Sequence, residues 1–234
     1  MTPEPLTVRS ITPPECRNCS TSVPVDEHFC PQCSRIQSLN RQGDYFAFLG
    51  LPRRLEVDLQ DLDRRFRDLS RKFHPDFYYN ATPAERLASL ERSSYLNDAY
   101  RALKQPVSRI EHLLSIEGLP LGPGDQGHAK VPPGLLEEVF ALNEELDEIR
   151  DARQSGAEPS ALASRLASAR QPIEAKRDEH ERALAETSAR WDSEASAGAT
   201  ERRATLERLR QLLLERNYIT NLLSTIEREA AAHG

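Results

Sequence analysis

Between residues 59 and 73 the apolar side chains return at three- and four-residue steps, as Leu59, Leu62, Phe66, Leu69 and Phe73. At roughly 100° per residue they fall on one stripe, which predicts an amphipathic helix with that stripe buried. Asp58 stands at its N-cap position. Pro75 cannot continue a helix and predicts a turn at its end. Thr82-Pro83-Ala84-Glu85 then has the form of a capping box with proline at the first helical position. Leu87, Leu90, Leu96, Ala99 and Leu103 supply the apolar positions of the helix that follows. The pair predicts an antiparallel hairpin projecting His74, Pro75 and Asp76 from one end.

The helical pattern runs from about 43 to 118, and Leu119 to Gly134, rich in Pro and Gly, reads as a linker over 119–134. From about 135 to 230 the periodicity is helical again, with breaks near 155–160 and 195–200, which predicts a three-helix bundle. Leu135, Val139, Leu142, Leu146 and Ile149 follow a 4,3,4,3 spacing and form the inward seam of its first helix. Pro172 is expected to kink the second helix or delay its start. Leu206, Leu209, Leu213, Ile219, Leu223 and Ile226 read as core in the third, and Trp191 as packing near the second bend. No alternating pattern supports a sheet, apart from short ribbons around the cysteines. The chain is all-α.

Composition narrows the class. Of 234 residues 38% are hydrophobic and 29% charged, as in helices with one wet face. No apolar run approaches the roughly 18–20 residues of a membrane span. The start, MTPEPLTVRS, has neither a hydrophobic signal core nor a clear transit helix, which points to the cytoplasm, with a processed mitochondrial form as the alternative. Net charge is -6, and residues 1–130 hold 17 Lys/Arg against 17 Asp/Glu. The acidic excess therefore lies in the C-terminal half, which argues against nucleic-acid binding.

All four cysteines fall within the first 33 positions, as Cys16-x2-Cys19 and Cys30-x2-Cys33. A two-residue spacer lets both thiolates of a pair reach one ion, and two such turns complete a tetrahedral shell. The reading is a structural zinc site in a module spanning 14–36, whose folding energy comes largely from the metal. Iron in the same ligand set, two disulfides or a redox dithiol are the alternatives, and the last lacks the βαβ context it needs. His28 reads as a bystander, since four cysteines already fill the shell.

On the first hairpin helix Arg64, Arg67 and Arg71 lie opposite the apolar stripe, flanked by Arg65 and Lys72. From 64 to 72 there are five bases and one acid, Asp68. Any charge run is first a solvated face, but this one ends at His74-Pro75-Asp76. DYFAFLGLP (44–52), the basic helix, His-Pro-Asp and LNDAYRAL (96–103) together resemble a J-domain, the ATPase-stimulating module of DnaJ-type co-chaperones. PVSRIEHLLSIEG (106–118) is similar to the extra segment of the HscB, or Jac-type, family of iron–sulfur cluster biogenesis. LLEEVFALNEELDEIR (135–150) resembles the first helix of that family's client-binding bundle, and FCPQC with Gln37 an N-terminal extension some members carry.

The resemblance implies an L-shaped, non-catalytic co-chaperone. It has a zinc module (14–36), a J-domain with its extra helix (43–118) and a C-terminal helical bundle (135–230). His74, Pro75 and Asp76, with Arg64, Arg67, Arg71 and Lys72, would dock on an ATP-bound DnaK/HscA-type chaperone and accelerate its hydrolysis. Leu136 and Phe140 lie off the inward seam and begin an i, i+4 row that continues through Glu144 and Glu148. That row either packs under the linker or the J-domain, or docks an IscU-type iron–sulfur scaffold, which is what the resemblance implies. Glu137 and Ala141 depart from the family pattern, which typically has an apolar and an acidic residue there. The competing readings are a J-protein with a different client, a zinc-ribbon nucleic-acid adaptor with a helical tail, and, weaker, a thiol–disulfide oxidoreductase.

Overall fold

The computed structural model describes residues 14–24, 27–39, 43–122, 131–194 and 198–231. The N-terminal MTPEPLTVRS segment and the centre of the 119–134 linker lie outside these, as do residues 195–197 of the second break. The described residues form seven α-helices and no named strand: α1 (Tyr45–Phe48), α2 (Leu59–Phe73), α3 (Pro83–Lys104), α4 (Pro106–Ile116), α5 (Leu136–Gln154), α6 (Pro159–Ser193) and α7 (Ala199–Ala231). The fold is all-α. By contacts the chain separates into one unit of Met1–Arg53 with Val57–Gln105, and a second of Arg54–Glu56 with Pro106–Gly234. α4 therefore groups with the C-terminal helices, whereas the sequence reading placed it with the hairpin. Its buried Ile110, Leu113 and Leu114 need an apolar partner, and α4 packs against α7.

In the first unit the caps are those the sequence implied. Asp58 accepts from the backbone N–H groups of Gln60 and Asp61, and Thr82 and Glu85 complete a reciprocal capping box. α2 and α3 run antiparallel. Tyr100 near the end of α3 donates to Asp63 near the start of α2 at 2.6 Å, while Ser89 and Ser93 donate to the Phe73 carbonyl at 2.6 and 3.0 Å. Gly50, at φ +65°, turns the chain out of α1; a Cβ there would stand 2.9 Å from an Arg65 nitrogen that donates to the Gly50 carbonyl.

Two apolar positions of α3 and one of α2 depart from the expected stripes. Leu87 and Leu90 are 57% and 56% exposed, and Leu59 is 47% exposed. The inward positions in the first half of α3 are Ala88, Ser89 and Arg92. The serines turn α3 toward the C-terminal end of α2, and polar contacts to the cysteine module recruit Arg92, so the leucines face water. Leu59 is the first helical residue, and its side chain leans back past the end of the packed stripe.

The second unit is built on the predicted seam, with Leu135, Val139, Leu142, Leu146 and Ile149 all buried against Leu162, Leu166, Ile173, Ile219 and Ile226. Pro172 does not delay α6, which begins at Pro159 and runs 35 residues through it. One missing N–H is tolerated because the apolar face on both sides stays packed. Two buried polar groups had no periodic signal: His180 Nε2 meets a Glu215 carboxylate oxygen at 2.6 Å between α6 and α7. Asp192, near the end of α6, accepts the backbone N–H groups of Leu55 and Glu56, each at 2.7 Å. Its side chain is 3% exposed, so Asp192→Ala leaves those donors unsatisfied. The expected loss is about 1–3 kcal/mol, read from the denaturant midpoint by fluorescence of Trp191, the single tryptophan, which is buried under Arg202. An unshifted midpoint would show that water replaces the carboxylate.

Candidate metal centre and docking surfaces

The cysteine module repeats one turn twice. Cys16 donates its N–H to the Thr21 carbonyl and accepts from Ser20; Cys30 donates to Arg35 and accepts from Ser34, all at 2.8–2.9 Å. Ser20 and Ser34 both take φ +56°, so each turn closes through a left-handed residue. Short antiparallel bridges, Glu15 with Ser22 and Phe29 with Ile36, flank the turns. This architecture brings Cys16 Sγ to 3.6 Å from Cys33 Sγ, and Cys19 Sγ to 3.5 Å from Cys30 Sγ. All four sulfurs lie within 4.8 Å of one another, and all four are free thiols. Tetrahedral ligands about 2.3 Å from one ion are separated by roughly 3.8 Å. The set fits a single metal ion and is not disulfide-bonded.

The thiols are differently poised. The Asn18 backbone N–H draws Cys16 down to about 6, the Thr21 hydroxyl lowers Cys19, and burial pushes Cys30 up to about 11. A bound dication favours all four thiolates, so metal uptake releases protons. The module's buried apolar core is little more than Cys16, Val23 and Cys30. Alanine at all four cysteines is therefore expected to remove one metal ion per chain and unfold 14–36, as elemental analysis and amide exchange would read. Retained metal would contradict the assignment.

His28 contributes no ligand, but it is no bystander. Its Nε2 bonds the Phe48 carbonyl at 3.0 Å and its Nδ1 meets an Arg92 nitrogen at 2.7 Å. Burial, and then the Arg92 charge, hold the imidazole down to about 4. Composition and spacing carry no signal for such a contact, because its partners are 20 and 64 residues away.

At the hairpin tip α2 ends at His74, and residues Pro75–Tyr78 form one 3-10 turn. His74 Nδ1 accepts the Asp76 backbone N–H at 3.3 Å, so the neutral ring carries its proton on Nε2, pointing away from that bond. The His74 and Asp76 side chains are 53% and 86% exposed. Arg64, Arg67, Arg71 and Lys72 are all exposed on α2, with Arg64 and Arg71 within ion-pair reach of Asp61 and Asp68. Arg65, by contrast, is spent on structure, bonding Asp61 and the Leu49 and Gly50 carbonyls. Phe77 and Tyr79 beside the tip are exposed as well. The arrangement offers an exposed cationic helix face ending in the His74 imidazole and the Asp76 carboxylate, whose Oδ2 lies 3.5 Å from His74 Nδ1.

On α5, Leu136 and Phe140 are 41% and 71% exposed. Glu144 and Glu148 are exposed too, and Glu148 shares Arg165 with Glu145 at 2.6 and 2.7 Å. The row thus combines apolar anchors with a charged rim. Beside it an open groove of about 550 Å³ between α5 and α6 is lined by Glu137, Ala141, Glu145, Arg165, Pro172 and Ile173, among others.

No family model matches the chain. The crystal structure of human co-chaperone protein HscB superposes with a TM-score of 0.63 at 26% identity, covering 92% of this chain and 98% of that one. The likeness is to the HscB co-chaperones. Chaperone HscB from Vibrio cholerae shares the fold at a TM-score of 0.56 and 24% identity, covering 81% of this chain and 99% of that one. The HscB-like architecture thus extends over nearly the whole chain, and the four-cysteine cluster is present within it. No helix among the described residues is long and apolar enough to cross a membrane.

Proposed function

We propose that the chain is a non-enzymatic J-domain co-chaperone of iron–sulfur cluster biogenesis. It binds an IscU-type scaffold protein through Leu136, Phe140, Glu144 and Glu148, and presents it to a DnaK/HscA-type chaperone. His74, Pro75, Asp76, Arg64, Arg67, Arg71 and Lys72 engage that chaperone in its ATP-bound form and trigger hydrolysis, which locks it onto the client. The observation that carries the reading is the exposed His74–Asp76 turn at the end of a cationic helix, inside a chain that resembles human HscB along 92% of its length.

The physics supports these roles. A positive helix steers association with an acidic surface, and Asp76 can form a charge-assisted bond to a partner arginine. His74 orients the turn rather than acting as an acid or base, since the phosphates lie in the partner. Cys16, Cys19, Cys30 and Cys33 hold a structural zinc ion, and the compartment of this reading is the cytoplasm, with the mitochondrial matrix as its alternative. The alternative is a J-protein with another client; Glu137 and Ala141 on α5, where the resemblance implies an apolar and an acidic residue, bear on individual contacts of the docking row rather than on the row itself.

Calorimetric titration of the chain into a DnaK-type chaperone tests the proposal. Binding to the ATP-bound state is expected, weakening as ionic strength rises, with at least tenfold lower affinity for the ADP-bound state. Equal affinity for both states would count against a J-domain role.

A further inference from the structure

The cysteine module is wired into the hairpin by a small set of buried contacts. Arg92 of α3 is only 3% exposed. Its Nε donates to the Gln37 carbonyl at 2.8 Å, one terminal nitrogen meets His28 Nδ1 at 2.7 Å, and the other donates to the Ser38 carbonyl at 3.2 Å. Because His28 Nε2 faces a carbonyl, it must carry the ring proton, leaving Nδ1 as the acceptor for Arg92. All three acceptors are neutral, and all belong to residues 28–38. The guanidinium also lies over the rings of Phe48 and Phe73, at 6.0 and 5.8 Å.

Phe73 immediately precedes His74. Its ring meets His28 at 5.0 Å and Phe29 at 5.9 Å, both from the module, and its carbonyl is held by Ser89 and Ser93. On the other side, Gln37 reaches back to Cys16 Sγ with its amide nitrogen at 3.6 Å. A continuous set of contacts thus runs from the cysteine cluster through Gln37 and His28 to Arg92, and from His28 and Phe29 to Phe73 and the His74 turn.

We infer that the metal-bound cysteine module is a clamp on the His74–Asp76 turn, with His28 and Arg92 as positioning residues, so that metal occupancy governs chaperone coupling. The module has too little core to persist without its ion. When residues 14–39 loosen, a buried cation loses every one of its acceptors, a condition a folded interior does not tolerate. Arg92 then turns to water, leaving its place over Phe73, and Phe73 loses the His28 and Phe29 rings and keeps only Phe48 of its ring neighbours among the described residues. The link to chaperone coupling rests on the J-domain reading above; the clamp on the turn does not.

The test is amide hydrogen exchange of the full chain, metal-loaded and after chelation, alongside metal-loaded Arg92→Met and His28→Ala. Chelation is expected to raise exchange at least tenfold in 14–39 and in 71–80, leaving α5 to α7 unchanged. Arg92→Met, with one metal ion retained, should raise exchange in 71–80 as chelation does, and Arg92→Lys should restore part of the protection. Chaperone stimulation, followed in parallel, should fall with the protection of 71–80. Unchanged protection of 71–80 in the chelated chain would overturn the clamp, and so would its retention in Arg92→Met and His28→Ala. Should Arg92→Met fail to fold, the chelation arm and His28→Ala decide. Altered protection in a chain that stimulates no chaperone would leave the clamp standing and refute the J-domain reading.

Discussion

His74→Gln is expected to abolish stimulation of a DnaK-type ATPase while leaving the melting temperature within about 1 °C of the parent. The side chain is half exposed, and its one backbone contact is the 3.3 Å bond from the Asp76 N–H. A glutamine side-chain oxygen can still accept a bond there, so the turn persists. What is lost is the Nε2–H and the ring that the tip presents to a partner. The contrast with the cationic face matters. Neutralising Arg67 should weaken association in a salt-dependent way without removing maximal stimulation, because an exposed charge acts mainly on encounter. Single-turnover hydrolysis at saturating chain separates the two effects, and full stimulation by His74→Gln would remove the central role of the turn.

The second large effect is expected on α5. Leu136→Ala with Phe140→Ala should weaken scaffold binding by at least thirtyfold, about 2 kcal/mol or more, as for paired anchors at the centre of an interface. Both side chains are exposed, whereas the buried seam one step around the helix supplies the bundle core. The double variant should therefore fold and melt like the parent. Glu144→Gln should cost less, since a rim carboxylate remains solvated. Glu148→Gln also leaves Arg165 with one carboxylate partner where it had two. Undiminished binding by the double variant would direct attention to another face of the bundle.

How much of this was legible in the sequence depends on the range of the contacts. Caps at Asp58 and Thr82, the paired cysteine turns and the α5 seam are all local patterns, set by residues within four positions of one another. The structure places each as expected. Helical periodicity names a stripe without naming its partner, so it turns Leu87 and Leu90 inward, whereas Ser89 and Arg92 hold the inward contacts. His28, Arg92 and Asp192 carried no local signal, since their contacts span 20 to 137 residues. α4 reads as a helix in either unit, and only its packing against α7 assigns it. Pro172 by itself predicts a kink or a delayed start; α6 starts at Pro159, ahead of it, because Leu162 and Leu166 before it and Ile173 after it pack into one core.

The central claim is that one chain couples a client to ATP hydrolysis in a second protein. The most direct test measures single-turnover ATP hydrolysis by a DnaK/HscA-type chaperone with this chain, with an IscU-type scaffold, and with both. The account predicts modest acceleration by the chain alone and, with both present, acceleration exceeding the product of the separate effects. That excess should vanish in His74→Gln and shrink in the Leu136→Ala/Phe140→Ala variant. No acceleration by the metal-loaded chain, with chaperone and scaffold both folded and active, would contradict it.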